Sequence, residues 1–364
     1  MNRVMANRIE TVIESLSRGA PVLVSRLQYL GDVILTLPLA YAIKQRFPKC
    51  DIDYLSKRPG AELLDPESAI RAVHRVPDPG EGVAATVRLI RRLRERRFAL
   101  AIDLLSNPRS AFLIWATGAR FRLGGTRRVR RHLYTHTVHV PADIRSSAAH
   151  HLYYLNTLGI DADIQKPRIT VSPEESRRAR VLLDGLGVNV AKQKVGIHPG
   201  GKWEVKRWPV ASFASLAAGL KARLGAEVVV FRGPGEGGEF TDRLRNSLGN
   251  GAAYLPELSV RDAAAVMGEL SAGVYCDGGA MHLSVAVGTP TVGIFGSSEP
   301  DVWFPYERFG PFRAAYVPVA CRPCHSHFCD HLTCLEGLEV EAVERLVIGV
   351  LEQGSSSAGA ADSG

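Results

Sequence analysis

The sequence lacks any run of about 18 apolar residues, the length that a helix needs to cross a bilayer. Its first 19 residues also lack the continuous apolar stretch of a secretory signal, because Arg3, Arg8, Glu10, Glu14 and Arg18 interrupt them. We therefore expect a cytoplasmic protein whose contact with the cytoplasmic face of the inner membrane is at most peripheral.

The loop at residues 198–209 lacks the phosphate-binding patterns of ATPases and of dinucleotide-dependent dehydrogenases, so it indicates neither class. Acidic residues are in the minority, 37 against 45 Lys and Arg, and basic runs occupy residues 88–97 and 127–132. These runs are either solvated surface or a surface that attracts an anionic acceptor or anionic lipid headgroups. Aromatic residues are not interleaved with them, so we expect no nucleic-acid partner.

Buried-type apolar runs alternate with helical patterns, which is typical of parallel α/β sheets. The pattern starts near residue 21 and restarts near residue 194. We therefore predict two doubly wound domains, residues 1–180 and 190–350, and a flexible tail over residues 353–364. The predicted strands are residues 21–25, 52–55, 100–104, 194–198, 227–231, 272–276 and 291–295.

The segment Asp277–His282 lies between a predicted strand and a predicted helix, and it contains two adjacent glycines. Bare backbone N–H groups at a helix N-terminus favour a phosphate. The alternative is a tight turn in which Asp277 caps the helix.

The segment His198–Pro209 also follows a strand and precedes a helix. It offers Lys202, Lys206 and Arg207 beside two glycines. Backbone donors and cations together suit a diphosphate. The alternative is a basic surface loop whose tryptophans pack on the domain.

Asp32 lies between the first predicted strand and the helix that follows it. A carboxylate at this place is either a helix cap or a general base for an acceptor hydroxyl. Taken alone, the position favours the cap.

Together these segments resemble glycosyltransferase family 9, the ADP-heptose:lipopolysaccharide heptosyltransferases. The matching segments appear in the family's order and are residues 31–38, 103–109, 198–209, 233–236, 277–282 and 295–300. The resemblance implies a GT-B fold, with two Rossmann-like domains facing across a cleft. It also implies an inverting transfer that needs no catalytic cofactor.

By this resemblance Asp32 is the general base, and Lys206 offsets the charge that develops on the departing ADP. The residues expected to bind the donor are His198, Gly200, Gly201, Lys202, Glu236, Asp277, Gly278, Gly279 and His282. Those expected to bind the acceptor are Asn107, Arg109, Arg127 and Arg128. Some family members carry hydroxyl side chains where this chain has Gly200 and Gly201, so phosphate contacts there are expected from the backbone.

Four cysteines fall within fourteen residues: Cys321, Cys324, Cys329 and Cys334. This spacing suggests a structural metal site for zinc or iron, with free thiols or disulfides as alternatives. Cys50 and Cys276 are expected to be buried and apolar in character.

The favoured function is the transfer of heptose from ADP-heptose to the lipopolysaccharide inner core. The alternative is a family 9 enzyme with another nucleotide sugar or another acceptor, such as O-antigen or a protein. A distant alternative is a basic zinc-binding module that recognises nucleic acid.

Overall fold

The computed structural model describes residues 3–64, 67, 69–126, 128–234, 236 and 239–361. The chain divides into two compact units, Met1–Pro167 and Arg168–Gly364. This division lies N-terminal to the predicted boundary, so residues 168–180 belong to the second unit. Each unit contains one sheet of six strands.

The first unit is a parallel sheet with the order β3-β2-β1-β4-β5-β6. Its strands are β1 Val22–Ser25, β2 Ile52–Ser56, β3 Ala72–Arg75, β4 Leu100–Asp103, β5 Phe121–Gly125 and β6 His136–Val138. Its α-helices are α1 Arg3–Ser17, α2 Leu30–Leu35, α3 Leu37–Arg46, α4 Gly60–Leu64, α5 Gly82–Glu95, α6 Pro108–Ala116 and α7 Ser147–Leu152.

The second unit is a parallel sheet with the order β12-β11-β10-β7-β8-β9, which repeats the order of the first sheet. Its strands are β7 Lys194–His198, β8 Glu227–Val230, β9 Ala253–Tyr254, β10 Ala272–Cys276, β11 Thr291–Ile294 and β12 Phe312–Ala315. Its α-helices are α8 Pro173–Gly185, α9 Val210–Leu224, α10 Glu239–Leu248, α11 Val260–Gly268, α12 Gly279–Val287, α13 Pro300–Trp303, α14 Thr333–Glu336 and α15 Val340–Ala361.

Both sheets therefore have the doubly wound strand order, which confirms the predicted fold class. In this order successive strands are added first on one side of the starting strand and then on the other. The point of reversal lies between β1 and β4 in the first unit and between β7 and β10 in the second. Ligands of open α/β sheets bind at the carboxyl ends of the strands beside this reversal. The loops that follow β1, β4, β7 and β10 are therefore the expected ligand-binding loops.

The core of the second unit lies between its sheet and the helices α9 and α15. Phe213 from α9 and Val347 from α15 are fully buried against Val274 of β10. Trp208 is buried beside them, and its indole N–H donates to the carbonyl of Leu338 at 3.2 Å. Burying each such side chain contributes about 1.5–3 kcal/mol, so this core holds the strand ends in place.

Helix α8 packs on α11, which explains why the domain boundary precedes it. Arg261 of α11 forms an ion pair with Glu175 of α8 at 2.6 Å and donates to the carbonyl of Thr170 at 2.7 Å. The hydrogen bond from Arg261 lowers the pKa of Glu175 to about 2. Residues 168–180 are thus held to the second unit by charge as well as by packing.

Two helices differ from the sequence prediction. The spacing of Val33, Leu37, Ala40, Ile43 and Phe47 predicts one helix. The helix is interrupted at Thr36, because Pro38 lies in the first turn of a new helix and the Thr36 hydroxyl donates to the carbonyl of Val33 at 2.7 Å. The final helix α15 continues to Ala361, so most of the predicted flexible tail is helical. Residues 362–364 lie outside the described residues. None of the helices in the described residues has the length and apolarity that crossing a bilayer requires.

Candidate active site

The predicted donor residues lie at the carboxyl edge of the second sheet. His198 ends β7, Glu236 follows β8 and Asp277 follows β10. The loop after β11 adds Ser298 to the same edge, as its contact with Asp277 shows. Because β7 and β10 flank the reversal of the sheet, the fold itself gathers segments that are far apart in sequence.

His198 and Glu236 form a pair, with His198 Nε2 at 2.8 Å from Glu236 Oε2. Burial raises the pKa of Glu236, but His198 and the N–H groups of Gly233 and Gly201 outweigh it and lower this pKa to about 2. The carboxylate is therefore ionised at neutral pH. It is a hydrogen-bond acceptor held in a fixed orientation.

The two glycines after His198 make room for this carboxylate. A Cβ atom on Gly200 would stand 2.0 Å from Glu236 Oε2. Gly201 has a φ of +155°, which side chains rarely adopt, and its carbonyl accepts two hydrogen bonds from Arg207 at 2.8 and 2.6 Å. The N–H of Gly201 is bonded to Glu236, so this loop serves the carboxylate directly.

Lys206 and Asp277 form an ion pair at 2.5 Å between Lys206 Nζ and Asp277 Oδ2. The Asp277 side chain is only 4% exposed and that of Lys206 is 22% exposed. The hydroxyl of Ser298 also donates to Asp277 Oδ2. A cation is thus held in an oriented, partly dry environment at the edge of the sheet.

Helix α12 begins directly beside this pair, with Gly278 as its N-cap residue and Gly279 as its first residue. Its backbone N–H groups and dipole favour an anion next to Lys206. His282 of this helix is buried, and its Nδ1 lies 2.7 Å from the hydroxyl of Tyr306. The structure therefore gives His282 a place inside the unit, behind the helix start.

Lys202 belongs to the loop after β7. It is exposed and lies 4.8 Å over the ring of Trp203. Trp203 stacks in turn on His327, with ring centroids 4.1 Å apart and an interplanar angle of 3°. Ser298 was included in the matching segment 295–300 but was given no role from the sequence. The stack of Trp203 on His327 was missed, because the two residues are far apart in the sequence.

Asp32 of the first unit lies in the first turn of α2, after β1. Arg26 donates to its Oδ1 at 2.6 Å and to the carbonyl of Leu104 at 2.6 Å. The N–H of Tyr29 donates to Oδ2 at 3.2 Å. The carboxylate is thus both a cap of the first turn and an ionic partner of Arg26, at the reversal between β1 and β4.

Two histidines that sequence reasoning missed lie near Arg26. Burial lowers the pKa of His151 well below its usual value, with smaller effects of Arg26 and His150 in the same direction. His151 is therefore neutral at physiological pH. Among the described residues, its Nδ1 and the Nε of Arg26 are buried without a hydrogen-bond partner. Water or a ligand hydroxyl completes hydrogen bonds of this kind.

The predicted acceptor residues have structural contacts of their own. Asn107 caps α6 by accepting from the N–H of Ser110 at 2.8 Å, and Arg109 donates to the carbonyl of Pro77 at 2.5 Å. Arg128 begins a short 3₁₀ helix. Arg127 lies outside the described residues. The contacts of Asn107 and Arg109 hold the start of α6 in place.

A cavity of about 400 Å³ opens between β3 and α5 in the first unit. Arginines dominate its wall: Arg75, Arg88 and Arg92. Glu81 also lines it, but this carboxylate is already paired with Arg75 at 2.5 Å. The basic run at residues 88–97 therefore contributes to a concave, positively charged surface.

All six cysteines are free thiols in the structure, and Cys50 and Cys276 are buried as predicted. Cys321 and Cys324 are exposed, whereas Cys334 is buried. Within the part of the chain that the structure describes, no group of three or more His, Cys, Asp or Glu side chains is arranged to hold a metal ion. The four cysteines at residues 321–334 thus do not form a ready coordination sphere.

Comparison with known proteins identifies the family of this chain. The sequence profile of glycosyltransferase family 9 (heptosyltransferase) matches residues 86–325. Lipopolysaccharide heptosyltransferase 3 of Escherichia coli is 25% identical over 299 residues, which cover 78% of this chain and 85% of that protein.

Solved structures agree with the fold. The structure of E. coli ADP-heptose lps heptosyltransferase II has a TM-score of 0.77 at 19% identity, with 92% of this chain and 99% of that chain covered. The iron-containing dodecameric glycosyltransferase TibC from enterotoxigenic E. coli H10407 has a TM-score of 0.56 at 18% identity, with 93% and 77% covered. These similarities confirm the GT-B fold, and two six-stranded sheets do not agree with a small zinc-binding nucleic-acid module. Because the profile matches well over half of the chain, this protein is a glycosyltransferase and belongs to glycosyltransferase family 9.

Proposed function

We propose that this protein transfers heptose from ADP-heptose to the lipopolysaccharide inner core with inversion at the anomeric carbon. The observation that carries the proposal is the Lys206–Asp277 ion pair beside the N-terminus of α12, at the reversal of the second sheet. This arrangement suits a sugar diphosphate. The names of the E. coli relatives support ADP-heptose as the donor and lipopolysaccharide as the acceptor.

In the proposed donor complex the diphosphate lies at the start of α12, where Gly278, Gly279 and Lys206 supply N–H groups and positive charge. Glu236, ionised and oriented by His198, accepts hydrogen bonds from ribose hydroxyls. Gly200 and Gly201 allow the close approach of this carboxylate. His282 supports the helix start from inside, through Tyr306.

In the proposed reaction Asp32 accepts the proton of the acceptor hydroxyl. The acceptor oxygen forms a bond to the anomeric carbon while the bond from that carbon to the β-phosphate oxygen breaks. The electron pair of the broken bond leaves with ADP, and Lys206 offsets the negative charge that develops there. Arg26 holds Oδ1 of Asp32, and the N–H of Tyr29 donates to Oδ2. In this proposal Oδ2 accepts the proton, because its partner is a neutral donor at 3.2 Å and that of Oδ1 is a guanidinium at 2.6 Å.

We also propose that the basic surface of the first unit holds the acidic groups of the acceptor. Arg88 and Arg92 line the cavity between β3 and α5. The further acceptor-binding residues in this proposal are those expected from the sequence: Asn107, Arg109, Arg127 and Arg128. The same positive charge would draw the protein to the cytoplasmic face of an anionic membrane. Sedimentation with anionic and neutral vesicles tests this, and equal binding to both contradicts it.

A donor screen with the wild-type protein tests the proposed function. ADP-, UDP- and GDP-sugars are incubated with an inner-core acceptor, and nucleotide release and product mass are measured. We expect turnover with ADP-heptose. Turnover only with another nucleotide sugar, or only with O-antigen or a protein acceptor, would establish the alternative family 9 function.

Replacing Asp32 by Ala or Asn tests its role as the base. We expect transfer to be abolished, with ADP affinity by calorimetry nearly unchanged. Asp143→Ala removes an exposed carboxylate of the same unit and serves as the matched control. Full turnover by either Asp32 variant would remove Asp32 as the base.

We propose that catalysis needs no metal ion, since Lys206 supplies the charge at the leaving group, and that a structural zinc or iron binds Cys321, Cys324, Cys329 and Cys334. The second proposal rests on the cysteine spacing alone, because no group of three or more metal-ligating side chains in the described residues is arranged to hold a metal ion. Metal analysis of protein purified under reducing conditions without added metal decides it. A metal-free protein with full activity overturns the structural site.

A further inference from the structure

The Cys-rich segment, residues 319–334, is fastened to the loop after β11 by Arg322. The guanidinium donates from Nε to the carbonyl of Gly296 at 2.7 Å and from Nη2 to the carbonyl of Ser298 at 2.8 Å. It also lies 4.4 Å over the ring of Tyr316. A planar donor that holds two carbonyls at once fixes both the position and the orientation of a loop.

Backbone contacts strengthen the same attachment. The carbonyl of Ser297 accepts from the N–H of Cys324 at 3.2 Å and from that of His325 at 2.9 Å. The hydroxyl of Ser297 donates to the carbonyl of Ser326 at 3.2 Å. Residues 296–298 are therefore held along their whole length by the Cys-rich segment.

The loop fixed in this way carries the hydroxyl that reaches the charged pair. Ser298 is buried, and its hydroxyl donates to the same Oδ2 of Asp277 that lies 2.5 Å from Lys206 Nζ. A chain of contacts thus runs from Arg322 through Ser298 and Asp277 to Lys206. Lys206 is the last member, and it is the group on which the proposed reaction depends.

A second contact joins the Cys-rich segment to the loop that carries Lys206. His327 stacks on Trp203, and a Cβ atom on Gly296 would lie 2.6 Å from the carbonyl of Val205. The loop after β7 and the loop after β11 are therefore packed closely together, and the Cys-rich segment covers both.

We infer that the Cys-rich segment positions the Lys206–Asp277 pair, and that Arg322 is the positioning residue through which it acts. This inference rests on the proposed role of Lys206 at the leaving group. Arg322 binds the carbonyls of Gly296 and Ser298 and is not one of the residues that we propose to bind the nucleotide sugar. Arg322 restrains the loop after β11, which carries Ser298. The Ser298 hydroxyl holds the Asp277 carboxylate, and this carboxylate orients the Lys206 side chain.

A displacement of catalytic groups by less than an ångström is enough to slow a reaction strongly. Loss of the Arg322 guanidinium should therefore lower kcat by about 10- to 100-fold, while the KM for the donor changes by less than about 3-fold. We expect kcat to change more than KM because negative charge on the leaving group grows only as the bond between the anomeric carbon and the phosphate oxygen breaks.

Arg322→Met keeps the aliphatic stem and removes the donors, and Arg322→Lys restores one donor. The matched control is Arg313→Met, because Arg313 also donates to two backbone carbonyls, at 3.2 and 2.7 Å, but these belong to Gly310 and Phe312. We expect kcat to fall in the order Arg313→Met, Arg322→Lys, Arg322→Met. Thermal unfolding of each variant identifies any loss of folded protein.

A double-mutant cycle with Lys206→Met distinguishes positioning from general stabilisation. If Arg322 acts through Lys206, the Arg322→Met change should cost less than about 3-fold in kcat once Lys206 is absent. If the losses of kcat caused by Arg322→Met and Lys206→Met simply multiply in the double variant, the inference is overturned. A folded Arg322→Met protein with wild-type kcat overturns it as well. If ADP-heptose gives no turnover but another nucleotide sugar does, the proposed donor is wrong, and the cycle is measured with that sugar.

Discussion

Replacing Glu236 by Gln should change how the stability of the second unit depends on pH. The pKa of this carboxyl is about 2 in place of 4.5, because His198 and two backbone N–H groups outweigh the effect of burial. A pKa difference of this size corresponds to about 3 kcal/mol in favour of the ionised, folded state. Solvent reaches about a fifth of the side chain, so screening reduces the expected contribution to about 2 kcal/mol.

The direction of the effect follows from the lowered pKa. Above pH 4.5 the carboxyl is ionised in both the folded and the unfolded chain, and its full contribution is present. As the pH falls from 4.5 towards 2, the unfolded chain binds the proton first, and the contribution is lost. The Gln variant has no proton to bind at this position and lacks this part of the pH dependence.

The free energy of unfolding is measured by urea titration from pH 6 to about pH 2.5, with tryptophan fluorescence as the signal. Three of the four tryptophans, Trp203, Trp208 and Trp303, lie in the second unit. As the pH falls across this range, the free energy of unfolding of the wild type should decrease by about 2 kcal/mol more than that of Glu236→Gln. Glu257→Gln removes an exposed carboxylate of the same unit and should follow the wild type. Parallel curves for the wild type and Glu236→Gln would refute the reasoning.

Two further substitutions test the same edge of the sheet. Lys206→Met should lower kcat by about 100-fold or more, because the departing diphosphate loses its cation. The control Lys221→Met, on an exposed face of α9, should leave kcat unchanged. Similar kcat values for the two variants would show that Lys206 has no role in the reaction. Gly200→Ala should weaken ADP binding and lower the melting temperature, because the added methyl group meets Glu236 Oε2 at 2.0 Å. Gly80→Ala has no neighbour within 4 Å and is its control; equal effects of the two glycine changes would contradict the steric argument.

The sequence predicted the central strands well. All seven predicted strands are present with ends within one residue of the predicted ones. The reason is physical: a strand buried on both faces of a parallel sheet must be apolar throughout, as β1 and β10 are, and such runs are visible without an alignment.

The strands at the edges of the two sheets, and β5 next to one edge, were not predicted. β3 is half-buried along its length, β5 contains Arg122 and ends in two glycines, and β9 has only two residues. Strands of this kind carry no long apolar run, and pairing with an inner strand decides their conformation. The domain boundary was placed too late for a similar reason, since the ion pair of Glu175 with Arg261 cannot be read from either segment alone.

The sequence by itself determined the two doubly wound sheets, the glycine-containing loops that we propose as the donor site, and the residue types in those loops. Only the tertiary structure decided which of these side chains meet: His198 with Glu236, Lys206 with Asp277 and Ser298, and Asp32 with Arg26. A glycine-containing loop after a strand is encoded by neighbouring residues. An ion pair between residues 71 positions apart exists only because β7 and β10 lie side by side. The segment Asp277–His282, first recognised as a phosphate-type loop, is thus half of a site whose other half the sheet brings to it.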